Sequence, residues 1–164
     1  AISPDGQFMV TGSDDQSAIV WDLKTRQPKV TLKEHVNEIW SVAFSPDGKW
    51  IATGSYDRSI KLWNWRNASV AYTLRGHASG VRSLAFSPDG KRLVSGGDAG
   101  AIKVWDVSTG NELVTFNRHT ERVTALAFSP DGLILASASR DRSVRLWRAA
   151  SKDEVTQHLS QVSR

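Results

Sequence analysis

The chain has 164 residues, 40% of them hydrophobic, with 21 basic against 17 acidic side chains and a net charge of +4. That apolar share supports a packed core and argues against a disordered chain, and the mild charge is spread out rather than gathered into the basic face of a nucleic-acid binder. There is no cysteine, which excludes disulfides, thiolate metal sites and a cysteine nucleophile and points to a reducing, cytoplasmic setting; no apolar run has membrane-spanning length and no secretory signal stands at the start.

The sequence repeats every 42 residues. Ser-Pro-Asp-Gly begins at Ser3, Ser45, Ser87 and Ser129, and Trp21, Trp63, Trp105 and Trp147 keep the same interval, as do His35, His77 and His119. A fixed period of this length without insertions marks a repeat architecture. A residue that recurs in every repeat is more readily structural than catalytic.

Residues 1–34 read as a truncated first repeat, because the counterpart of His35 would fall before residue 1. The second repeat is 35–76. Ile39 to Ser45 is a predicted strand with Val42 and Phe44 on one face, and Ile39 breaks the alternation, which predicts a bulge near 39–41. Pro46-Asp47-Gly48 is a turn: proline presets φ, aspartate bonds back to the chain and glycine takes positive φ. Trp50 to Gly54 is the second strand, and Tyr56-Asp57-Arg58 a tight turn. Ser59 to Trp63 is the third strand, with Ile60 and Leu62 on one face and Lys61 and Trp63 on the other. Asn64 to Ser69 reads as a polar loop and Val70 to Leu74 as the fourth strand. The small residues Ala52 and Gly54 would let neighbouring sheets stack face to face. The third repeat is 77–118 and the fourth 119–150.

Residues 151–164 leave the pattern. Ser151 and Glu154 have the spacing of a capping box, and Val155, Leu159 and Val162 form a helical stripe, so a short amphipathic helix is predicted over 152–162. The alternative is an outer strand near Val155 to Leu159. Four short antiparallel strands per 42 residues, with no helical period, predict an all-β fold of four β-propeller blades.

These residues resemble the WD-repeat family. The resemblance rests on the Arg75-Gly76-His77 segment, the Ser-Pro-Asp-Gly turn, the Asp57 turn, and Trp21-Asp22 and Trp105-Asp106 at their joint spacing. It departs at Trp63-Asn64 and Trp147-Arg148, at Glu34 and Arg118 where glycine would precede histidine, and at Ala99 in place of the turn aspartate. It implies hydrogen-bonded tetrads of His35, Thr53, Asp57 and Trp63, and of His119, Ser137, Asp141 and Trp147. It implies a broken set of His77, Ser95 and Trp105, and a partial one of Thr11, Asp15 and Trp21. The same residue types make a Ser-His-Asp triad elsewhere, but catalysis needs one set with an exposed nucleophile, not a copy per repeat. One histidine per blade does not converge on a metal. The expectation is no enzyme activity, no metal and no cofactor.

The resemblance further implies an interaction platform whose partners dock on the face carrying the turns between second and third strands and the loops between blades. That face would carry Asp14, Glu38, Trp40, Tyr56, Gly80, Arg82, Asp98, Arg122, Thr124 and Arg140. One reading makes Trp40 and Tyr56 aromatic anchors flanked by Arg82, Arg122 and Arg140, since Trp, Tyr and Arg dominate interface hot spots, with an acidic or phosphorylated peptide as partner. The other has Trp40 packing on neighbouring loops and the arginines solvated.

The leading functional expectation is a non-catalytic scaffold that binds a protein or peptide, with neither nucleic acid nor membrane as partner. The ending Trp147-Arg148-Ala149-Ala150 resembles the last repeat of bacterial WD-repeat regions. That allows a regulatory or sensor role beside a kinase, caspase-like or nucleotide-binding signalling domain. A structural or engineered ring-forming module is the third alternative. Four blades leave two blade faces uncovered, so the four are expected to belong to a seven- or eight-bladed ring, completed by missing repeats or by a second copy in a homodimer.

Overall fold

The computed structural model describes residues 1–148. The predicted helix over 152–162, and the alternative strand near Val155 to Leu159, lie outside the described residues. The fold is built from four antiparallel sheets, one per repeat. The first holds β1 (Phe8–Gly12), β2 (Ala18–Asp22) and β3 (Gln27–Leu32). The second holds β4 (Ile39–Phe44), β5 (Trp50–Ser55), β6 (Ser59–Asn64) and β7 (Ser69–Arg75). The third holds β8 (Val81–Phe86), β9 (Arg92–Gly97), β10 (Ile102–Asp106) and β11 (Glu112–Phe116). The fourth holds β12 (Val123–Phe128), β13 (Ile134–Ser139) and β14 (Val144–Arg148). No helix among the described residues is long and apolar enough to cross a membrane.

Each sheet is a meander because its turns are chemically specified. In the second blade the Ser45 hydroxyl donates to Asp47 Oδ1 at 2.6 Å and accepts the Trp50 N–H at 2.9 Å, while the Lys49 N–H also donates to Asp47 Oδ1. Gly48 closes the turn at φ 67°, a region glycine enters without penalty. The same bonds recur around Ser3, Ser87 and Ser129. The bulge expected near 39–41 is present as a register shift between Ile39 and Ser41, and the equivalent shifts recur at Val81/Ser83 and Val123/Ala125.

The blades follow chain order around an arc, with β4, β8 and β12 side by side along its inner edge. Alternation along the strands gives each blade two different faces. Ile39, Ile51 and Trp63 of the second blade pack on Val10, Ala18, Val20 and Leu32 of the first. The opposite face, with Ala52, Ile60, Leu62 and Leu74, packs on Val81, Leu93 and Trp105 of the third blade. Val94, Ile102 and Val104 continue the series against Val123 and Leu135 of the fourth.

Residues 64–69 correct the polar-loop expectation. Asn64 ends β6, and Trp65–Asn67 form a 3-10 helix closed by Ala68 in the left-handed region. Trp65 is 1% exposed and joins the core between the first two blades. The surrounding Asn, Arg and Ser suggest solvent, but the indole has an apolar slot and its N–H donates to the Gly48 carbonyl at 3.0 Å, so burial leaves no polar atom unpaired.

Candidate functional site

The shared spacing of His, Ser/Thr, Asp and Trp places one polar set inside each blade. In the second blade the Trp63 indole N–H donates to Thr53 Oγ1 at 2.8 Å. Thr53 Oγ1 lies 2.7 Å from His35 Nε2, and His35 Nδ1 lies 2.7 Å from Asp57 Oδ2. A neutral imidazole carrying its proton on Nδ1 satisfies all three contacts: it accepts from the threonine and donates to the carboxylate. Ser59 anchors the other carboxylate oxygen through its hydroxyl and N–H. Burial alone would raise the Asp57 pKa, but the bonds from Ser59 and His35 outweigh it and hold the carboxyl at about 2. Burial pushes His35 below the ordinary imidazole value, against the pull of Asp57.

The fourth blade repeats this arrangement with His119, Ser137, Asp141 and Trp147 at 2.7–2.9 Å. In the first blade the Trp21 indole donates to Thr11 Oγ1 at 3.0 Å, and Asp15 holds Ser17. In the third blade Trp105 and His77 both meet Ser95 Oγ, but Nδ1 of His77 faces no carboxylate, since Ala99 stands in the aspartate position. Gly97 and Ala101 replace Ser55 and Ser59 as well, so all three side chains of the carboxylate anchor are lost together. The turn keeps its path: Gly100 donates to the Gly97 carbonyl as Arg58 does to that of Ser55. The Ala99 N–H is taken up by Ser79 Oγ at 2.8 Å. Without the carboxylate, burial and the nearby Lys103 bring the His77 pKa down to about 4.

These sets could be mistaken for nucleophile-base pairs. The hydroxyls of Thr53, Ser95 and Ser137 are buried and already accept an indole proton. The geometry ties the loop between blades to the turn between the second and third strands.

The surface above these sets holds the residues expected to meet a partner. Trp40, at the start of β4, is half-buried rather than solvent-facing. Its ring centroid lies 4.7 Å from that of Tyr56, and the Arg82 guanidinium covers it at 3.2 Å. Gly80 permits this: a Cβ there would stand 2.7 Å from Trp40 and 2.9 Å from Tyr56. Arg82 Nε also meets Asp98 Oδ1 at 2.8 Å, and Arg122 Nε approaches the same oxygen at 3.6 Å. The expected basic flank is therefore partly neutralised, with Asp98 between two guanidiniums. Arg140 is exposed on the same blade as Arg122, whose carbonyl accepts the Arg140 N–H, and Asp14 is exposed on the first blade. Thr124 bonds the Ala138 carbonyl. Glu38, whose carbonyl accepts the Tyr56 N–H, has one carboxylate oxygen buried without a partner.

Between the second and third blades this row borders a cleft of about 440 Å³ lined by Val36, Tyr56, Arg58, Ser79, Gly80 and Asp98. Val36 is 78% and Tyr56 48% exposed. Sequence reasoning missed Val36. Its signal was weak but present, since the matching positions carry Ala78 and Thr120 and a valine there is the larger apolar group.

Compared with known proteins, the pattern of the family described as "WD domain, G-beta repeat" matches residues 1–22, 26–64, 68–106 and 110–148. Denticleless protein homolog A of Xenopus laevis is 44% identical over 45 residues, 27% of this chain. The matched stretch is 6% of that relative's length.

Proposed function

The chain belongs to the WD-repeat family, and from that premise we propose that it is a non-catalytic scaffold that holds a peptide segment of a partner protein on the face carrying Trp40 and Tyr56. The observation that carries this reading is the row Tyr56–Trp40–Arg82–Asp98–Arg122, which runs across three blades beside the Val36 cleft. Trp, Tyr and Arg are the residue types on which interface energy concentrates. Because Asp98 offsets Arg82 and Arg122, the segment that fits presents an apolar or aromatic side chain to Val36 and Tyr56. The phosphate expected from an open arginine cluster is the weaker fit. A regulatory role beside a signalling domain would use the same face.

The test is affinity capture with the wild-type chain, a Tyr56→Ala/Val36→Ser variant and a Lys49→Ala control on the opposite face. Val36 is exposed and Tyr56 half-exposed, so folding is expected to persist, with a melting temperature lowered only slightly by loss of the Tyr56–Trp40 ring contact. Loss of specific captured proteins from that variant alone supports the reading. Equal capture by all three overturns it.

A further inference from the structure

In the second and fourth blades the same three N–H groups hold a carboxylate. Asp57 Oδ2 accepts from His35 Nδ1 at 2.7 Å and from the Val36 N–H at 3.2 Å, and its Oδ1 accepts the Ser59 N–H at 2.9 Å. Asp141 repeats this with His119, Thr120 and Ser143 at the same distances. The 42-residue register gives the third blade the matching set, His77 Nδ1 and the N–H groups of Ala78 and Ala101. None of these meets an acceptor among the described residues. Ser95 Oγ accepts the Trp105 indole N–H and faces His77 Nε2. Its own hydrogen goes to Nε2, and the imidazole proton stays on Nδ1 as a donor.

The place has room and an opening. Ala99, Gly97 and Ala101 stand where the second blade has Asp57, Ser55 and Ser59, so three side chains around it are shortened. Ala78 and Ala99 are exposed, whereas the Asp57 side chain is 8% exposed. A carboxylate from outside stands further from the turn than one bonded to it, and the imidazole is free to follow it. A Cβ on Gly97 would lie 2.7 Å from Nδ1, so glycine gives the ring space to lean. Ser79 Oγ holds the Ala99 N–H at 2.8 Å and keeps the turn in place. The neighbouring charges are paired, Lys103 with Glu112 and Asp98 with Arg82 and Arg122, so recognition falls to the three donors. All of this lies at the turn end of the blades. β14 finishes at the other end, where Arg148 pairs with Ile134 beside the Ser-Pro-Asp-Gly turn.

We propose that His77, Ala78 and Ala101 form a niche that takes a carboxylate from outside the chain, completing the third set as Asp57 and Asp141 complete theirs. Converging N–H groups make anion-binding concavities, and hydrogen bonds to an ionised acceptor are the stronger kind. The sister blades favour a carboxylate over other anions, because one of its oxygens serves the imidazole and the following N–H while the second serves the N–H at the start of the third strand. The niche goes beyond the peptide-docking reading and does not depend on the Val36 cleft.

The probe is sodium formate, titrated into the isotope-labelled full chain and followed by NMR, with sodium chloride at equal ionic strength as the control. Saturable shifts of the Ala78 and Ala101 amides and of the His77 imidazole are expected, half complete at about 10 mM, as for a few charge-assisted bonds to a small anion. The matching signals of Val36, Ser59, Thr120 and Ser143 stay in place, since their carboxylates are built in. Ala99→Asp with Ala101→Ser supplies the carboxylate from the chain and abolishes the response. A capped aspartate separates two sources of the ligand. Tighter binding than formate assigns the niche to a side chain of a partner protein, and weaker binding assigns it to a free anion. Shifts that do not saturate, that chloride reproduces or that appear equally in the sister blades overturn the proposal, as does a response kept by the double variant. Should that variant fail to fold, the sister-blade signals decide alone.

Discussion

At the scale of single residues the third blade is a natural mutant of its neighbours. His35 and His77 are both buried and have the same hydroxyl partner type, but only His35 has a carboxylate. The His77 pKa is brought down from 6.5 to about 4. Between those values the folded chain holds fewer protons than the unfolded one, so stability rises with pH across this window. The contribution is complete above the unfolded value near 6.5 and is lost as pH falls toward about 4. The gap corresponds to about 3 kcal/mol, and His35, whose pKa is also lowered by burial, acts in the same direction. Ala99→Asp with Ala101→Ser rebuilds the anchor on a turn that already has the right path. It is expected to stabilise the chain at pH 7 by about 1 kcal/mol and to flatten the loss between pH 6.5 and 4, because a carboxylate beside Nδ1 favours the charged imidazole. Urea denaturation across that range checks both effects. An unchanged slope, or a lower midpoint at pH 7, would show that the introduced carboxylate does not reach His77.

At the scale of elements, Trp65 shows where a buried indole matters and where pattern reading stops. It closes the first seam from a 3-10 turn, and Trp65→Ala would leave a cavity between Phe8, Phe44 and Val30 and remove the indole donor to the Gly48 carbonyl, which keeps only that of Arg66 Nη1. A loss of about 3–5 kcal/mol is expected, as for other buried aromatic truncations. Calorimetry measures it, and a cost below about 1 kcal/mol would mean the seam collapses to fill the space. The strands, turns and bulges were legible because each has a local cause. Alternation marks β4 to β7, the Pro-Asp-Gly triplet marks the turn, and the odd spacing of Ile39 marks the bulge. The stacking of small residues was also legible at Ala52 and Gly54. A Cβ on Gly54 would lie 2.7 Å from Val81 of the next blade, and Gly96 stands in the same relation to Val123. Trp65 was not legible, because its burial depends on a slot made by the neighbouring blade and not on its own flanking residues. The state of Arg82 was hidden for the same reason. Its sequence position indicates the face, but the neutralising Asp98 comes from a turn 16 residues away.

At the scale of the whole molecule, the two ends of the arc formed by the described residues present faces that are buried between blades elsewhere. Val144 and Leu146 are each 70% exposed, whereas their counterparts Ile60 and Leu62 are 0% and 1% exposed between blades. On the first blade Thr11 is exposed and Trp21 half-buried, where Thr53 and Trp63 are covered by a neighbour. One end is the aliphatic face of a seam and the other is the tryptophan face, so they complement each other as the paired faces within the chain do. Covering several hundred Å² of apolar surface at ~25 cal/mol per Å² gives a driving force on the order of 10 kcal/mol before association costs. Two copies meeting end to end would use both pairs of faces and close under two-fold symmetry. The 18.1 kDa chain is therefore expected to associate at micromolar concentration, with light scattering giving twice that mass or more. Charges on the aliphatic end should prevent it: Val144→Asp with Leu146→Asp places two carboxylates on a face that must be dry when paired, and a monomer with an intact β-sheet spectrum is the expected product. The wild-type chain remaining at 18.1 kDa at every concentration would refute the end-to-end contact. So would a double variant of unchanged mass, since the contact would then lie on some other surface.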